Sequence, residues 1–246
     1  MAARTKYILF VILLLTRLSI TFAQPFPELR FQSLSDKDGL SDNTVNRIIQ
    51  DKTGFMWFGT NNGLNRFDGY RFKKFYHDEK DPTSLPDNLI GQLVPDEKNN
   101  LWISTGQGIC YFNTITQQCN NFVHNANDSA SIRNDEQPFI YPDSAGNTWV
   151  TTYRGLYRFG KDLHYDEVME GVTGFQFYQV YSQYYYSIVP DKRGQLWSFS
   201  ANRIYQLDAV SKKVKKTLVF PVEKSITRIY FDSDNRMWLN VYGTGI

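Results

Sequence analysis

Three histidines, two cysteines and a set of regularly placed aspartates are the side chains of this 246-residue chain best suited to chemistry. A carboxylate pair across a cleft would serve glycoside hydrolysis, one group protonating the leaving oxygen and the other acting as base or nucleophile. Clustered histidines and cysteines would hold a metal. The spacing argues against both. Asp51, Asp96, Asp143, Asp191 and Asp232 each stand six residues before a tryptophan, namely Trp57, Trp102, Trp149, Trp197 and Trp238. An aspartate present in every repeat reads as scaffold. His77 and His124 each stand eight residues before Leu85 or Ile132, so they too occupy equivalent scaffold places. Neither they nor His164 come with metal-ligand spacing, a phosphate loop or a nucleophile elbow. No metal site and no cofactor is implied.

Cys110 and Cys119 flank a turn expected around Asn113-Thr114-Ile115-Thr116, which would set them opposite each other on adjacent strands. An oxidising compartment favours a disulfide there. Cross-strand geometry is restrictive, however, and two unpaired thiols fit the sequence equally well.

The elements that position these residues follow from the tryptophans, which recur at intervals of 45, 47, 48 and 41 residues. Three residues before each one stands Gly54, Asn99, Gly146, Gly194 or Asn235. Glycine and asparagine accept positive φ, and an aspartate carboxylate can accept hydrogen bonds from the N–H groups of a turn. Each Asp-to-Trp stretch is therefore expected to be a β-hairpin turn. Apolar neighbours on both sides of the tryptophan, as in Leu101-Trp102-Ile103, call for a strand buried on both faces. Gly63, Gly108 and Gly155 then mark a second turn, and Phe67, Phe112 and Phe159 end the strand after it. A link marker precedes each unit: Leu40-Ser41-Asp42-Asn43, Leu85-Pro86-Asp87-Asn88, and Ile132-Arg133-Asn134-Asp135.

Four strands in about 45 residues is the period of a propeller blade. The fold expected is all-β, a β-propeller of four-stranded antiparallel blades, incomplete at about four and a half. Phe31-Gln32-Ser33-Leu34 corresponds to an outer strand and is placed to complete a last blade. An arc that stops short of a ring should expose apolar blade faces and so tend to associate, which makes a homodimer one expected state.

The N-terminus carries Arg4 and Lys6, an apolar run from Tyr7 to Leu15, and Thr21-Phe22-Ala23 before Gln24. This is the layout of a secretory signal over residues 1–23, leaving residues 24–246 as the partial propeller and a periplasmic location. Arg17 interrupts the apolar stretch and leaves it short of the roughly 20 residues a spanning helix needs. Cleavage would remove three of the 27 basic residues and none of the 25 acidic ones, leaving a net charge of −1. A near-neutral surface without a basic block argues against nucleic acid as a partner.

Asp38-Gly39-Leu40-Ser41, Asn43-Thr44-Val45, Gln50-Asp51, Gly54-Phe55-Met56-Trp57-Phe58-Gly59-Thr60 and Asn62-Gly63-Leu64-Asn65-Arg66-Phe67-Asp68-Gly69-Tyr70 closely resemble the two-component regulator propeller repeat. The resemblance is weaker over the fourth and fifth repeats. It implies the N-terminal periplasmic sensor region of a Bacteroidetes hybrid two-component system that detects polysaccharide breakdown products, here truncated. A second propeller, an immunoglobulin-like domain, a membrane helix, a kinase core, a receiver and a DNA-binding domain would follow in relatives. None of their residues is present here, so kinase activity does not carry over.

The function expected is thus oligosaccharide sensing rather than catalysis. A carbohydrate-active propeller enzyme and a nonfunctional fragment stand as alternatives. In a propeller, the turns after the tryptophan strands and the links between blades open on one face, and loops carry function. On that face Asn61, Asn62, Gln107, Tyr153, Arg154, Asn202, Arg203 and Tyr242 vary between repeats. The aromatic run Phe175–Tyr184 replaces the usual link before the fourth blade. Tyr153, Arg154, Tyr178 and Tyr181 are the residues expected to bind the sugar, though aromatics of that run would serve equally as blade core.

Overall fold

The structure, a computed structural model, describes residues 31–132, 138–152, 155–170, 188–200, 202–208, 211, 213–220 and 226–242. The chain divides into two compact units, Met1–Ser33 and Leu34–Ile246. Residues 1–30 lie outside the described residues, and with them the expected signal segment.

The second unit is built of antiparallel sheets whose strands follow chain order. The first holds β1 (Val45–Gln50), β2 (Met56–Thr60), β3 (Gly63–Phe67) and β4 (Phe72–Phe75). The second holds β5 (Ile90–Pro95), β6 (Leu101–Thr105), β7 (Gly108–Asn113) and β8 (Gln118–Phe122). The third holds β9 (Phe139–Pro142), β10 (Thr148–Thr151), β11 (Gly155–Phe159) and β12 (Tyr165–Glu170). The fourth holds β13 (Val189–Pro190), β14 (Leu196–Ser200), β15 (Arg203–Asp208) and β16 (Lys213–Val219). A fifth sheet pairs β17 (Ile226–Phe231) with β18 (Met237–Val241). Each sheet is one propeller blade, the last represented among the described residues by two strands.

The turn before each tryptophan is built as its residues require. All five positions three residues before a tryptophan have positive φ, from 63° at Asn235 to 95° at Gly54. In the first blade Asp51 Oδ1 accepts hydrogen bonds from the N–H groups of Thr53 and Phe55, and Oδ2 accepts from Trp57 Nε1 at 2.8 Å. The same carboxylate-to-indole bond recurs for Asp143 and Trp149, Asp191 and Trp197, and Asp232 and Trp238. The second blade differs: Asp96 Oδ2 accepts from the Tyr111 hydroxyl at 2.6 Å. Burial, reinforced by this hydrogen bond to Asp96, pushes the Tyr111 hydroxyl up to about 12.

The strands carrying the first three tryptophans are almost wholly buried, and the tryptophan face of each is covered by the blade that follows. Trp57 packs with Leu93, Leu101, Ile103 and Phe112 of the second blade. Trp102 packs with Ile140, Val150 and Phe159 of the third, and Trp149 with Ile188, Leu196 and Leu207 of the fourth.

Asn99 and Asn235, where the other turns have glycine, reach back to the preceding blade. Asn99 Oδ1 accepts from Lys52 N–H and Asn235 Oδ1 from Lys192 N–H, both at 2.8 Å. Asn99→Gly keeps the backbone conformation but removes this interblade bond, so it should cost about 0.5–1.5 kcal/mol in urea denaturation. Asn99→Ala should cost about 1–2 kcal/mol more, because alanine resists the φ of 67°.

Two expectations are corrected. Residues 31–35 form no strand and Phe31 is 90% exposed, because a strand needs a ladder partner and none of the described strands pairs with this segment. The two cysteines are joined in a disulfide but do not lie directly opposite: Phe112 faces Cys119 and Cys110 faces Asn121. The link is diagonal across β7 and β8, with Cα atoms 5.4 Å apart, because the strand register is set by the turn at Asn113–Gln118.

Candidate functional site

In the first two blades the turns that follow the tryptophan strands are hydrogen-bonded to the link that joins the blades. In the first blade Thr60 Oγ1 donates to the Gly63 carbonyl and accepts from Asn62 N–H. Thr105 closes the corresponding turn of the second blade onto Gly108 and Gln107 in the same way. Gly63 N–H then donates to the Asn88 carbonyl in the link entering the second blade, and Gly106 N–H donates to the Leu89 carbonyl. Both Gly63 and Gly108 have φ near 100°, and a Cβ on either would lie within 2.7 Å of a backbone carbonyl oxygen. These positions therefore require glycine.

The link markers now have a physical role. Asp42 and Asp87 each accept a hydrogen bond from the N–H two residues on, that of Thr44 or Leu89. The following asparagine catches a preceding segment: Asn43 Oδ1 accepts from Asp36 N–H and Asn88 Oδ1 from His77 N–H. Ser41 is pinned from beneath by fully buried Asn65, which accepts from its N–H and donates to its hydroxyl. His77 Nδ1 lies 2.6 Å from the Leu85 carbonyl and His124 Nδ1 2.9 Å from that of Ile132, so both are held against their own links.

On this frame the side chains left facing solvent include amides and a guanidinium. Asn61, Asn62, Gln107 and Arg47 are exposed, and Asn46 Nδ2 bridges Asn61 Oδ1 and the Ile90 carbonyl. Such groups can donate to and accept from hydroxyls. Tyr153, Arg154, Tyr178 and Tyr181 lie outside the described residues, as does the aromatic link Phe175–Tyr184. Asn46 and Arg47 were not singled out by repeat variation. They sit on β1 itself, and only the fold brings that strand beside the turn at Asn61.

A groove of about 470 Å³ lies among the turns that precede the tryptophan strands, and its lining includes Lys52, Asp96, Lys98, Trp102, Tyr111, Asp143 and Lys161. It holds two of the repeated aspartates, but both are engaged. Asp96 accepts from Tyr111 and from the N–H groups of Lys98 and Asn100, while Asp143 accepts from Trp149, Ala145 and Asn147. These carboxylates hold turns. Among the described residues no three His, Cys, Asp or Glu side chains gather as a metal site would require.

Successive four-stranded antiparallel sheets, the first three each keyed to the next by a buried tryptophan, define this chain as a β-propeller protein. Residues 39–62 and 84–107 match the family described as two component regulator propeller. Both matches run from the link marker through the tryptophan strand. A histidine kinase of Formosa agariphila is 40% identical over 75 residues, which is 30% of this chain and 6% of that protein.

Among solved structures, the chain resembles the extracellular domain of a hybrid two-component system from B. thetaiotaomicron. That likeness has a TM-score of 0.64 and 27% identity, and covers 85% of this chain and 29% of the other. The extracellular domain of a one-component system from the same organism shares the fold at a TM-score of 0.57 and 22% identity, covering 87% of this chain and 31% of its own. PorZ, a surface component of the type-IX secretion system of Porphyromonas gingivalis, shares it at 0.53 and 16%, covering 82% and 31%. The chain thus spans under a third of the length of these relatives.

Proposed function

We propose that this chain is the ligand-sensing propeller region of a two-component regulatory system, exported through an N-terminal signal and working in the periplasm. The observation that carries this reading is the pair of matched repeats, supported by the 27% identity to the extracellular domain of a hybrid two-component system. The repeated aspartates and the paired histidines are used up in turns and links, so the chemistry on offer at the turn-and-link surface is recognition. The ligand class we infer is an oligosaccharide. Amide and guanidinium groups such as Asn61, Asn62 and Arg47 suit its hydroxyls, and Tyr153, Arg154, Tyr178 and Tyr181 would supply the aromatic and cationic contacts.

Calorimetric titration with a panel of plant, algal and host-glycan oligosaccharides tests this. One member should bind, and Arg154→Ala and Tyr181→Ala should weaken that binding at least tenfold, a loss of about 1.4 kcal/mol, while leaving the melting temperature near the wild-type value. Unchanged affinity in both variants would remove these residues from the site. Turnover of any panel member into shorter products would overturn the sensing reading in favour of an enzyme.

A further inference from the structure

The repeated frame is broken in one place. In the first, third, fourth and fifth blades the indole N–H donates to the aspartate six residues before it. In the second blade the residue paired with Trp102 across β6 and β7 is Tyr111, where the first, third and fourth blades have Arg66, Arg158 and Gln206. The Tyr111 hydroxyl accepts from Asn100 Nδ2 and donates to Asp96 Oδ2, the oxygen that the indole uses elsewhere. Among the described residues nothing accepts from Trp102 Nε1. Trp102 is 3% exposed, but this nitrogen is not sealed off: the unpartnered side-chain atoms shut away from solvent are Asn121 Oδ1, Arg158 Nε and Tyr205 Oη. Its opening is the groove of about 470 Å³ that Trp102 and Tyr111 line.

The groove lies among the first three blades, each a complete four-stranded sheet, at the strand ends opposite the turn-and-link surface. Its volume is in the range of small-molecule sites. A largely buried donor without an acceptor is unfavourable, so an occupant should offer an oxygen to the indole. Pro95, Pro142 and Leu163 supply apolar lining. At the rim stand exposed Lys98, Lys161 and Glu97, none of whose charged groups is paired among the described residues. The occupant must therefore accept from the indole and the ammonium groups and donate to the Glu97 carboxylate. A hydroxyl does both, whereas a carbonyl or a carboxylate only accepts. With Lys52, Lys98 and Lys161 set against Asp96, Glu97 and Asp143, no net charge in the lining draws an anion.

We propose that this groove is a recognition site distinct from the turn-and-link surface and that it takes an uncharged pyranose ring. One oxygen of the ring accepts from Trp102 Nε1, its C–H face lies on Pro95, Pro142 and Leu163, and its remaining hydroxyls exchange hydrogen bonds with Lys98, Lys161 and Glu97. The inference rests on the exchange of partners at Asp96, not on the reading of the turn-and-link surface.

Heteronuclear NMR of the indole N–H groups of the full chain tests the proposal, with the Trp102 signal identified by its loss in Trp102→Phe. In the free protein the Trp102 N–H should exchange with solvent faster than those of Trp57 and Trp149, which are fully buried and bonded. Titration with uncharged methyl pyranosides and their disaccharides should yield one member that moves the Trp102 signal saturably. Calorimetry should show that Trp102→Phe weakens its binding at least tenfold. Tyr111→Phe frees Asp96 for the indole, so it should slow exchange of the Trp102 N–H and weaken binding to a similar degree. That variant carries the test should Trp102→Phe unfold. Binding confined to the turn-and-link surface would leave the Trp102 signal in place, which tells the two sites apart. A Trp102 N–H as slow to exchange as that of Trp57, no shift with any pyranoside, a shift with glucuronate or acetate alone, or unchanged affinity in either variant would each overturn the proposal.

Discussion

Trp102→Ala should lower the unfolding free energy by about 3–5 kcal/mol, the usual cost of truncating a large buried aromatic. Trp102 is 3% exposed and sits among the rings of Tyr111, Phe122 and Phe159, with centroids between 4.9 and 6.1 Å away. Those rings belong to two different blades. The cavity left by alanine cannot close without moving one sheet against the other, so the cost should fall at the upper end of the range. Trp238→Ala removes the same side chain from a position 47% exposed and should cost well under half as much. Chemical denaturation of the two variants side by side checks this. Equal losses would mean that interblade burial is not what the tryptophans contribute.

Asp51→Asn should cost about 2–3 kcal/mol despite being nearly isosteric. Asp51 is 7% exposed and accepts four hydrogen bonds: two from backbone N–H groups, one from the Thr53 hydroxyl and one from Trp57 Nε1. An amide has one accepting oxygen and would turn an N–H group toward one of these donors, leaving a buried donor unpaired. In a Trp57→Phe background the indole donor is gone, and the same substitution should cost measurably less.

Burial alone would raise the Asp51 carboxyl, but hydrogen bonds from the Thr53 and Trp57 side chains and from backbone N–H groups outweigh it and hold the group below its ordinary value of 3.8. Asp191 is lowered by the same balance of burial against its turn and indole bonds. A depressed folded-state value means that the unfolded chain takes up the proton first as pH falls. The stabilisation is therefore complete above about pH 4 and is lost as pH drops through the folded-state value. Wild-type stability should decline below about pH 4, and Asp51→Asn should show a shallower decline over the same range. An identical acid dependence in the two proteins would mean that Asp51 is not among the groups responsible.

The period, the turn chemistry and the order of strands were legible in the sequence because they are local. An aspartate, a residue tolerant of positive φ three positions on and a tryptophan three beyond that make one hairpin by short-range forces, and repetition converts one hairpin into an architecture. The resemblance carried by residues 38–70 belongs to the same local level. What needed the tertiary structure were the pairings between segments far apart in the chain. The Asp51 carboxylate was readable as a turn acceptor, but its bond to the indole depends on how the strand leaves the turn. Asp96 meets Tyr111 instead, and nothing in the repeat pattern marks that exchange. The interblade reach of Asn99, the capping role of the link asparagines and the diagonal register of the disulfide likewise depend on where a neighbouring strand lies. The candidate surface divides in the same way: its turns could be found by position, whereas Asn46 and Arg47 join it only because β1 runs beside Asn61. The greatest difference is between tryptophans with the same local sequence context. Trp57 and Trp238 follow the same turn signal and make the same indole bond, yet one is fully buried and the other 47% exposed. Local sequence determines how a blade is built, but the burial of its faces depends on which blade stands next to it.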